Sequence, residues 1–419
     1  MKKPRIVIIG GGFGGLTVAK SLLKIDAEIT IIDKTNYHLF QPLLYQVASA
    51  ALSPADIAIP IRAVFGNRKN VKVIMDEVIS INSDKRQVIL KDNKINFDYL
   101  IIAIGSSHSY FGNENWEQYA PGLKTLGDAL EIREKILKSL EFAEKEENSE
   151  KRKKYLRFVI VGGGPTGVEM AGAISEIAKQ SMMKDFRNIN SSDTEIFLIE
   201  GTSRILNSYS EKLSQKAQLE LESMGVVVKL NTFVTDISAK GVKMGENFIE
   251  TTNVIWAAGN QVSPILKSLN VELDKVGRVM VNRDLSIEND PNIFVIGDAA
   301  HINGEQGKPV PGVAQGAIQE GKFVAEVIKS QKRYSERGNF IYKDKGNLAT
   351  IGRAKAIAEI KGLKLSGFLA WLTWCFIHIL YLISFRNRFR VMAEWAWYYL
   401  SFRHGIRLIV GKPHNRDDN

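Results

Sequence analysis

The 419-residue sequence carries a single cysteine, Cys375. One thiol cannot form an internal disulfide, a cysteine-rich metal site or a redox pair, and it fits a reducing compartment. Histidine is also scarce. The six residues at 38, 108, 301, 378, 404 and 414 lie far apart without metal-ligand spacing, so no metal is expected. Low-complexity tracts and short-period repeats are missing, and 45% hydrophobic against 24% charged residues excludes a disordered chain. The first apolar run, Ile6 to Ile9, is interrupted by glycines and is too short for a signal peptide. The expectation is a mature protein that starts near Met1 and stays in the cytoplasm. A chain of this length builds two to three domains and buries their cores without disulfides.

What is present is unevenly placed. The net charge is +10, and from Lys361 onward nine Lys/Arg face three Asp/Glu, a net +6 in the tail. A basic tail is one mark of a nucleic-acid binder, but the aromatic and apolar content of this one points away from nucleic acid. Residues 126–154 are rich in Glu and Lys at helical spacing and end in "EKEENSEKRKK", which reads as a solvated helix face and a loop.

One pattern occurs twice. "VIIGGGFGGLTVAK" (7–20) and "VIVGGGPTGVEMAG" (159–172) both run from an apolar strand through a glycine turn into a helix start. Gly10, Gly12 and Gly15 match G-x-G-x-x-G, as do Gly162, Gly164 and Gly167. In that motif one glycine makes the tight turn, one lets the backbone approach a pyrophosphate, and one lets helix and strand pack closely. The helix N-terminus then offers unpaired N–H groups and a positive dipole to phosphates. The strand after each loop ends in an acid, Asp33 in "EITIID" and Glu200 in "EIFLIE", placed to accept ribose hydroxyls. Glu200 repels a 2′-phosphate, which favours NADH over NADPH, although Arg204 lies nearby. The second helix is expected to be longer, running on through "KQSMMKDFRNINSSDTE". "VIWAAG" (254–259) echoes "LIIAIG" (100–105), "NIFVIGDAA" (292–300) reads as a further buried strand, a helix is expected from Gly312 to about Ser330, and residues 340–360 read as a short strand pair. The fold class is therefore α/β: two Rossmann-type dinucleotide-binding domains, the second inserted in the first. Two loops imply two dinucleotides, and a flavin paired with a nicotinamide is the economical combination, since a flavin accepts a hydride and passes electrons on. The cofactors expected are bound FAD and NADH as substrate.

The chain resembles the type II NADH dehydrogenases, single-subunit NADH:quinone oxidoreductases of respiratory chains. The resemblance is carried by "TNYHLFQPLLYQVA" (35–48), "GGGPTGVEMAGAISE" (162–176), "VIWAAG", "VIGDAA", "VPGVAQGAIQEG" (310–321) and "FRNRFR" followed by "EWAWYYLSFRHG". It implies a glutathione-reductase-type fold, FAD in the first loop, a membrane quinone as acceptor, no proton pumping, a homodimer and a monotopic C-terminal anchor. It places Asp298 at the FAD ribityl chain, Gln315 and Gln319 beside flavin and quinone, and Glu169 near the nicotinamide. By themselves two glutamines four apart on a helix are more often solvated surface, and a glutamate in a helix's first turns is favoured there by the dipole alone. Pro311 and Gly312 precede the helix, so the N–H groups near Val313 and Ala314 are expected at the flavin's N1–C2=O edge. Gly14, Lys34, Ala103 and Gly105 complete the expected FAD set, and Gly259 the NADH set. Flavin disulfide reductases and sulfide:quinone oxidoreductases need active-site cysteines, which this sequence lacks.

From Leu365 to Phe385 there are 21 residues without Asp, Glu, Lys or Arg. As one helix they would be about 31 Å long, enough to span a bilayer. Trp371, Trp374, His378 and Tyr381 fall inside the stretch rather than at its two ends, basic residues flank both ends, and Ser366, Thr373 and Ser384 would share one helical face. These features favour a helix on the lipid surface rather than across it, as does Phe389 to Ile409, which mixes Trp395, Trp397, Tyr398 and Tyr399 with Arg390, Glu394, Arg403 and Arg407. The expected domains are 1–112 with 270–332 for FAD, 113–269 for NADH, and 333–419 for membrane binding. The expected function is membrane-associated NADH:quinone oxidoreduction at the cytoplasmic face of the cell membrane, peripherally bound. A flavin NAD(P)H oxidase or diaphorase using oxygen or a soluble acceptor is the alternative, and a NADH-sensing flavoprotein without turnover is a third reading.

Overall fold

The computed structural model describes residues 3–178, 185–304, 307–401 and 406–409. Arg403, His404, His414 and residues 179–184 of the expected longer helix lie outside them. The chain divides into two compact units. The first comprises the segment up to Leu39, Ala58–Ser107 and Asn260–Lys345. The second comprises Phe40–Ile57, His108–Gly259 and the segment from Gly346 on.

The first unit is built on a six-stranded sheet ordered Ser286–Ile287, Asp290–Val295, Tyr99–Ile102, Arg5–Ile9, Glu28–Asp33, Val71–Met75. Its strands are parallel except at the Ser286–Ile287 edge, with Ile6 opposite Ile29 and Tyr99. Consecutive rather than alternating apolar residues, "RIVII" and "YLII", follow from burial of a parallel sheet on both faces. Val7, Ile9, Ile32, Leu100, Ile102, Ile293 and Val295 lie in one core together with Val88, Leu90 and Phe97 of a small antiparallel sheet. The Phe13–Ser21 helix packs on Ala314–Ser330. A Cβ on Gly321 would come within 2.8 Å of the Gly14 carbonyl oxygen, so small residues let the two helices approach.

The second unit repeats the plan with four parallel strands, ordered Val226–Lys229, Glu195–Ile199, Arg157–Val161, Asn253–Trp256. The helix after the glycine loop is Pro165–Glu176, and by Ser191–Asp193 the chain makes a 3-10 turn. The charged run does not end in a loop: Asn148 caps a helix at Ser149–Leu156, its side chain accepting from the Glu150 and Lys151 amides.

The C-terminal segment departs from expectation in three ways. It is no separate unit: it belongs to the second, as does Phe40–Ile57, which was expected with the first. The expected strand pair is a three-stranded antiparallel sheet, Asn347–Gly352, Lys355–Ile360 and Leu363–Gly367. The 21-residue apolar stretch is also divided. Leu363–Gly367 is paired as a strand, Gly367 turns with φ +72°, and the helix is only Phe368–Tyr381, 14 residues. The Arg388 guanidinium donates to the carbonyls of Leu382 and Leu380, both at 2.8 Å, satisfying the helix end, and a second helix follows at Phe385–Ser401. Ser366 therefore lies on a strand and Ser384 between helices, so they share no helical face with Thr373. No helix among the described residues is long and apolar enough to cross a membrane.

The C-terminal sheet is seated by close contact. A Cβ on Gly172 would stand 1.7 Å from the Ile351 carbonyl oxygen. Gly172→Ala must push Asn347–Gly352 off the Pro165–Glu176 helix, at a cost of about 1–3 kcal/mol. Its expected signature is a lowered thermal unfolding midpoint, read by circular dichroism on the flavin-loaded protein.

Candidate dinucleotide and acid sites

The two glycine loops are alike down to individual hydrogen bonds. Gly10 has φ +104° and Gly162 φ +110°, a backbone conformation other residues rarely adopt. A Cβ on Gly15 would lie 1.9 Å from the Gly10 oxygen, and one on Gly167 1.8 Å from the Gly162 oxygen, which is the tight helix–strand packing the motif demands. At Gly12 and Gly164 a Cβ would meet nothing within 4 Å. These are the positions where the backbone stands open for a pyrophosphate. The helices that follow have no side-chain cap and no acid in their first turn, which suits their N-termini to phosphate oxygens. Each loop therefore fits the pyrophosphate of a dinucleotide.

Each loop is held by its acid. The Gly11 amide donates to Asp33 Oδ2 at 2.6 Å, and Asp33 Oδ1 accepts from the Thr35 amide and hydroxyl, both at 2.7 Å. In the second unit the Gly163 amide donates to Glu200 Oε2 at 2.6 Å, and Glu200 Oε1 accepts from the Thr202 amide at 2.8 Å and hydroxyl at 2.7 Å. An ionised carboxylate has about four acceptor positions. Three are used in each case, which leaves one directed acceptor for a ribose hydroxyl. Gly162, Gly164, Glu200, Asn207, Ser208 and Gly259 line a cleft of about 380 Å³. Arg204 is committed away from Glu200, with Nε at 3.2 Å from Asn207 Oδ1 and Nη2 at 3.1 Å from its carbonyl.

The remaining residues of the first set gather at the strand ends of the first unit. The Gly10 Cβ position is blocked by the Ala103 oxygen at 2.2 Å, and Gly105 turns with φ +66°. Lys34 is exposed. Ser106 Oγ donates to Asp298 Oδ2 at 2.6 Å. Val313 is the N-terminal flank of the Ala314–Ser330 helix and again supplies no side-chain cap, leaving that N-terminus open. Gln315 and Gln319 behave differently. Gln319 is clamped to the Lys343 backbone, Nε2 donating to its oxygen and Oε1 accepting from its amide, each at 3.0 Å. Gln315 is half-buried and makes no side-chain hydrogen bond among the described residues.

Three supporting features escaped sequence reasoning. His38 is buried and donates Nδ1–H to the Gly11 carbonyl at 2.9 Å, with its ring edge-on to Phe13; burial pushes its imidazole down to about 4, so it stays neutral. Glu320 is buried and accepts from the Gly297 amide at 2.5 Å, which fixes the turn carrying Asp298; burial pushes its carboxyl up to about 7. The third is the threonine two places after each acid. That signal was legible, since "DKT" and "EGT" both show it.

Glu169 lies on the fifth residue of the Pro165–Glu176 helix and takes a hydrogen bond from the Thr350 backbone. Part of its surface is accessible, yet burial pushes its carboxyl up to about 8. Beside it, Gln46 Nε2 donates to the Tyr45 hydroxyl at 2.8 Å, and Trp395 Nε1 donates to Gln46 Oε1 at 2.8 Å. A carboxyl poised near neutral pH can hold or release a proton, which neighbouring amides cannot.

Residues 4–321 match the family model described as pyridine nucleotide-disulphide oxidoreductase, and residues 345–404 match the NDH2 C-terminal domain. Two proteins of Mycobacterium tuberculosis, the type II NADH:quinone oxidoreductases Ndh and NdhA, are each 41% identical, over 96% and 97% of this chain and 90% of each relative. Among solved structures, NDH2 from Plasmodium falciparum in complex with NADH shares the fold with TM-score 0.88 at 22% identity, covering 98% of this chain and 100% of that one. The sulfide:quinone oxidoreductase of Aquifex aeolicus gives 0.73 at 18%, covering 93% and 92%.

The raised Glu169 carboxyl makes a pH prediction. Its folded value, about 8, stands above the ordinary 4.5, so the folded state holds the proton more tightly than the unfolded state. That stabilisation is complete below about 4.5 and is lost as pH rises through about 8. Glu169→Gln, which never ionises, should therefore gain thermal stability relative to the parent between pH 5 and 9, with the gap closing at the acid end. Melting curves across that range check it, and parallel curves would contradict it.

Proposed function

Because this chain belongs to the type II NADH:quinone oxidoreductase family, we propose that it oxidises NADH and reduces a membrane quinone with FAD as its resident cofactor. The observation that carries the reading is the duplicated loop, in which Gly11–Asp33–Thr35 and Gly163–Glu200–Thr202 build two dinucleotide cradles in one chain. Bound FAD supplies the step between the two substrates, accepting a hydride and delivering two electrons. The residues supply everything around that chemistry. Gly12 admits the FAD pyrophosphate, Asp33 takes an adenosine ribose hydroxyl and Asp298, held by Ser106, takes a ribityl hydroxyl. The uncapped N-terminus at Val313 and Ala314 would offer positive dipole to negative charge on the bound cofactor. Gly164 and Glu200 hold NADH in the second cradle, orienting it more than activating it. The negative charge of Glu200, with Arg204 turned to Asn207, disfavours a 2′-phosphate. Gln315 has its amide available for a quinone carbonyl, whereas Gln319 is engaged with Lys343 and steadies that segment. Glu169, with a carboxyl near neutrality, is the proton-holding group of the second unit.

The tail gives the reading its lipid side. Leu369, Leu372, Phe376 and Leu380 recur at helical spacing and are 45–66% exposed, while Ala370 and Trp374 on the other face are buried. On the next helix Phe385, Phe389, Trp397 and Leu400 are 61–84% exposed, opposite buried Asn387 and Val391. Two apolar faces of this size, accompanied by exposed Arg386, suit a bilayer surface carrying anionic lipid. Peripheral binding at the cytoplasmic face, on the side where NADH is supplied, is part of the proposal. A homodimer rests on family membership alone.

Purified protein should be yellow and should oxidise NADH with a short-chain quinone much faster than with oxygen alone, and slower with NADPH. Equal rates with oxygen would favour the oxidase reading, and absence of turnover with every acceptor would remove the enzymatic one. The membrane reading has its own check. Phe385→Glu with Leu400→Glu should abolish co-sedimentation with anionic vesicles at unchanged flavin content; full retention on vesicles places the lipid contact elsewhere.

A further inference from the structure

The loop following the Val226–Lys229 strand presents an aromatic ring, Phe233, with 72% of its surface exposed. Such a ring gains little from folding, because the apolar area it removes from water is small. Its surroundings are nevertheless rigid. The Glu200 amide donates to the Lys229 carbonyl at 2.9 Å, the Asn231 amide to Thr202 at 2.9 Å, and the Thr232 amide to Glu200 at 3.0 Å. Three backbone bonds thus fasten the loop carrying Phe233 to the turn carrying the ribose-binding acid.

Gly201 lies between them. A Cβ there would stand 2.6 Å from one ring carbon of Phe233 and 3.1 Å from two others. The turn itself does not require glycine. Gly201 is not among the residues with positive φ, and the matching turn of the first unit, Asp33–Lys34–Thr35, carries a lysine in the same place. Glycine at 201 makes room for the ring.

The topology says what the ring is for. In a Rossmann unit the pyrophosphate sits at the glycine loop and the acid ending the next strand holds the adenosine ribose. The sheet order Val226–Lys229, Glu195–Ile199, Arg157–Val161 places the strand before Phe233 on the far side of that acid from the glycine loop. The adenine of a dinucleotide whose ribose is on Glu200 extends in that direction. Phe233 is not a wall of the cleft around Gly162 and Gly164; its loop is bonded to the turn of Glu200, which does line that cleft. We infer that Phe233 is the adenine-contacting residue of the second cradle, a flat apolar surface that binds the base of NADH and takes no part in hydride transfer. This rests on the NADH reading of that cradle.

The test compares two donors on the full-length, flavin-loaded enzyme: NADH, and reduced nicotinamide mononucleotide, which lacks the adenosine half. A base–aromatic contact is worth about a tenfold change in affinity. Phe233→Ala should raise the NADH KM about tenfold with kcat within about twofold, should leave the KM for the mononucleotide unchanged, and Phe233→Tyr should restore the NADH value. Gly201→Ala, which displaces the ring, should act in the same direction. An unchanged NADH KM in Phe233→Ala overturns the inference, and so does an equal rise for both donors, which would mark a structural role. Wild-type protein that oxidises neither donor would instead bring down the NADH reading, and this inference with it.

Discussion

In both units a backbone amide one residue into the glycine loop is held 2.6 Å from a carboxylate that ends the neighbouring strand. A carboxylate accepting a backbone N–H makes one of the stronger hydrogen bonds available to a protein, and here it ties the loop to the sheet. The other oxygen of the same carboxylate is then anchored by a threonine amide and hydroxyl, which holds the acid in place. Loop shape, open helix N-terminus and ribose acceptor all depend on this one interaction. The duplication of the chain is clearest there, in bonds rather than in sequence identity.

Around the first cradle buried and half-buried polar groups do the positioning. His38 holds the Gly11 carbonyl, Glu320 holds the Gly297 amide and Ser106 holds Asp298. Buried polar groups are costly unless bonded, so each of these contacts also fixes one geometry of the loop it touches. In the second unit the pattern extends to the Phe385–Ser401 helix. Tyr398 donates to Glu176 at 2.7 Å, Arg353 lies over the Tyr399 ring at 4.3 Å, Trp395 donates to Gln46, and Arg390 pairs with buried Asp56 at 3.3 Å. One side of the helix is thereby committed to the protein, and Phe385, Phe389, Trp397 and Leu400 remain outward.

Most of the α/β plan was legible because its signals are local. A buried strand, a glycine turn and a helix start occupy some twenty contiguous residues, and the acid follows at the end of the next apolar run. The predicted strand ending at Asp33 and helix ending at Ser330 have those ends in the structure. The tail was misjudged for an equally physical reason. Counting uncharged residues cannot distinguish a strand from a helix, and Leu365 to Phe385 contains both, separated by a glycine with positive φ. The supporting residues were missed because a lone His38 or Glu320 carries no pattern; each is defined by a partner 27 or 23 positions away. Gln319 carried a pattern, yet its amide is spent on Lys343, a pairing that no spacing rule announces.

The sequence by itself determined that two dinucleotide loops exist, which acid follows each, that no internal disulfide or cysteine pair can form, and that the tail is apolar, aromatic and basic. Those properties follow from residue type and short-range spacing, which are written along the chain. The tertiary structure alone decided that Phe40–Ile57 and the C-terminal segment join the second unit, that the apolar tail breaks into strand and short helices, and that Glu169 sits where burial raises its carboxyl toward neutrality. Each of these depends on which distant segments cover which surfaces, and burial, unlike composition, is a property of contacts between residues far apart in the chain.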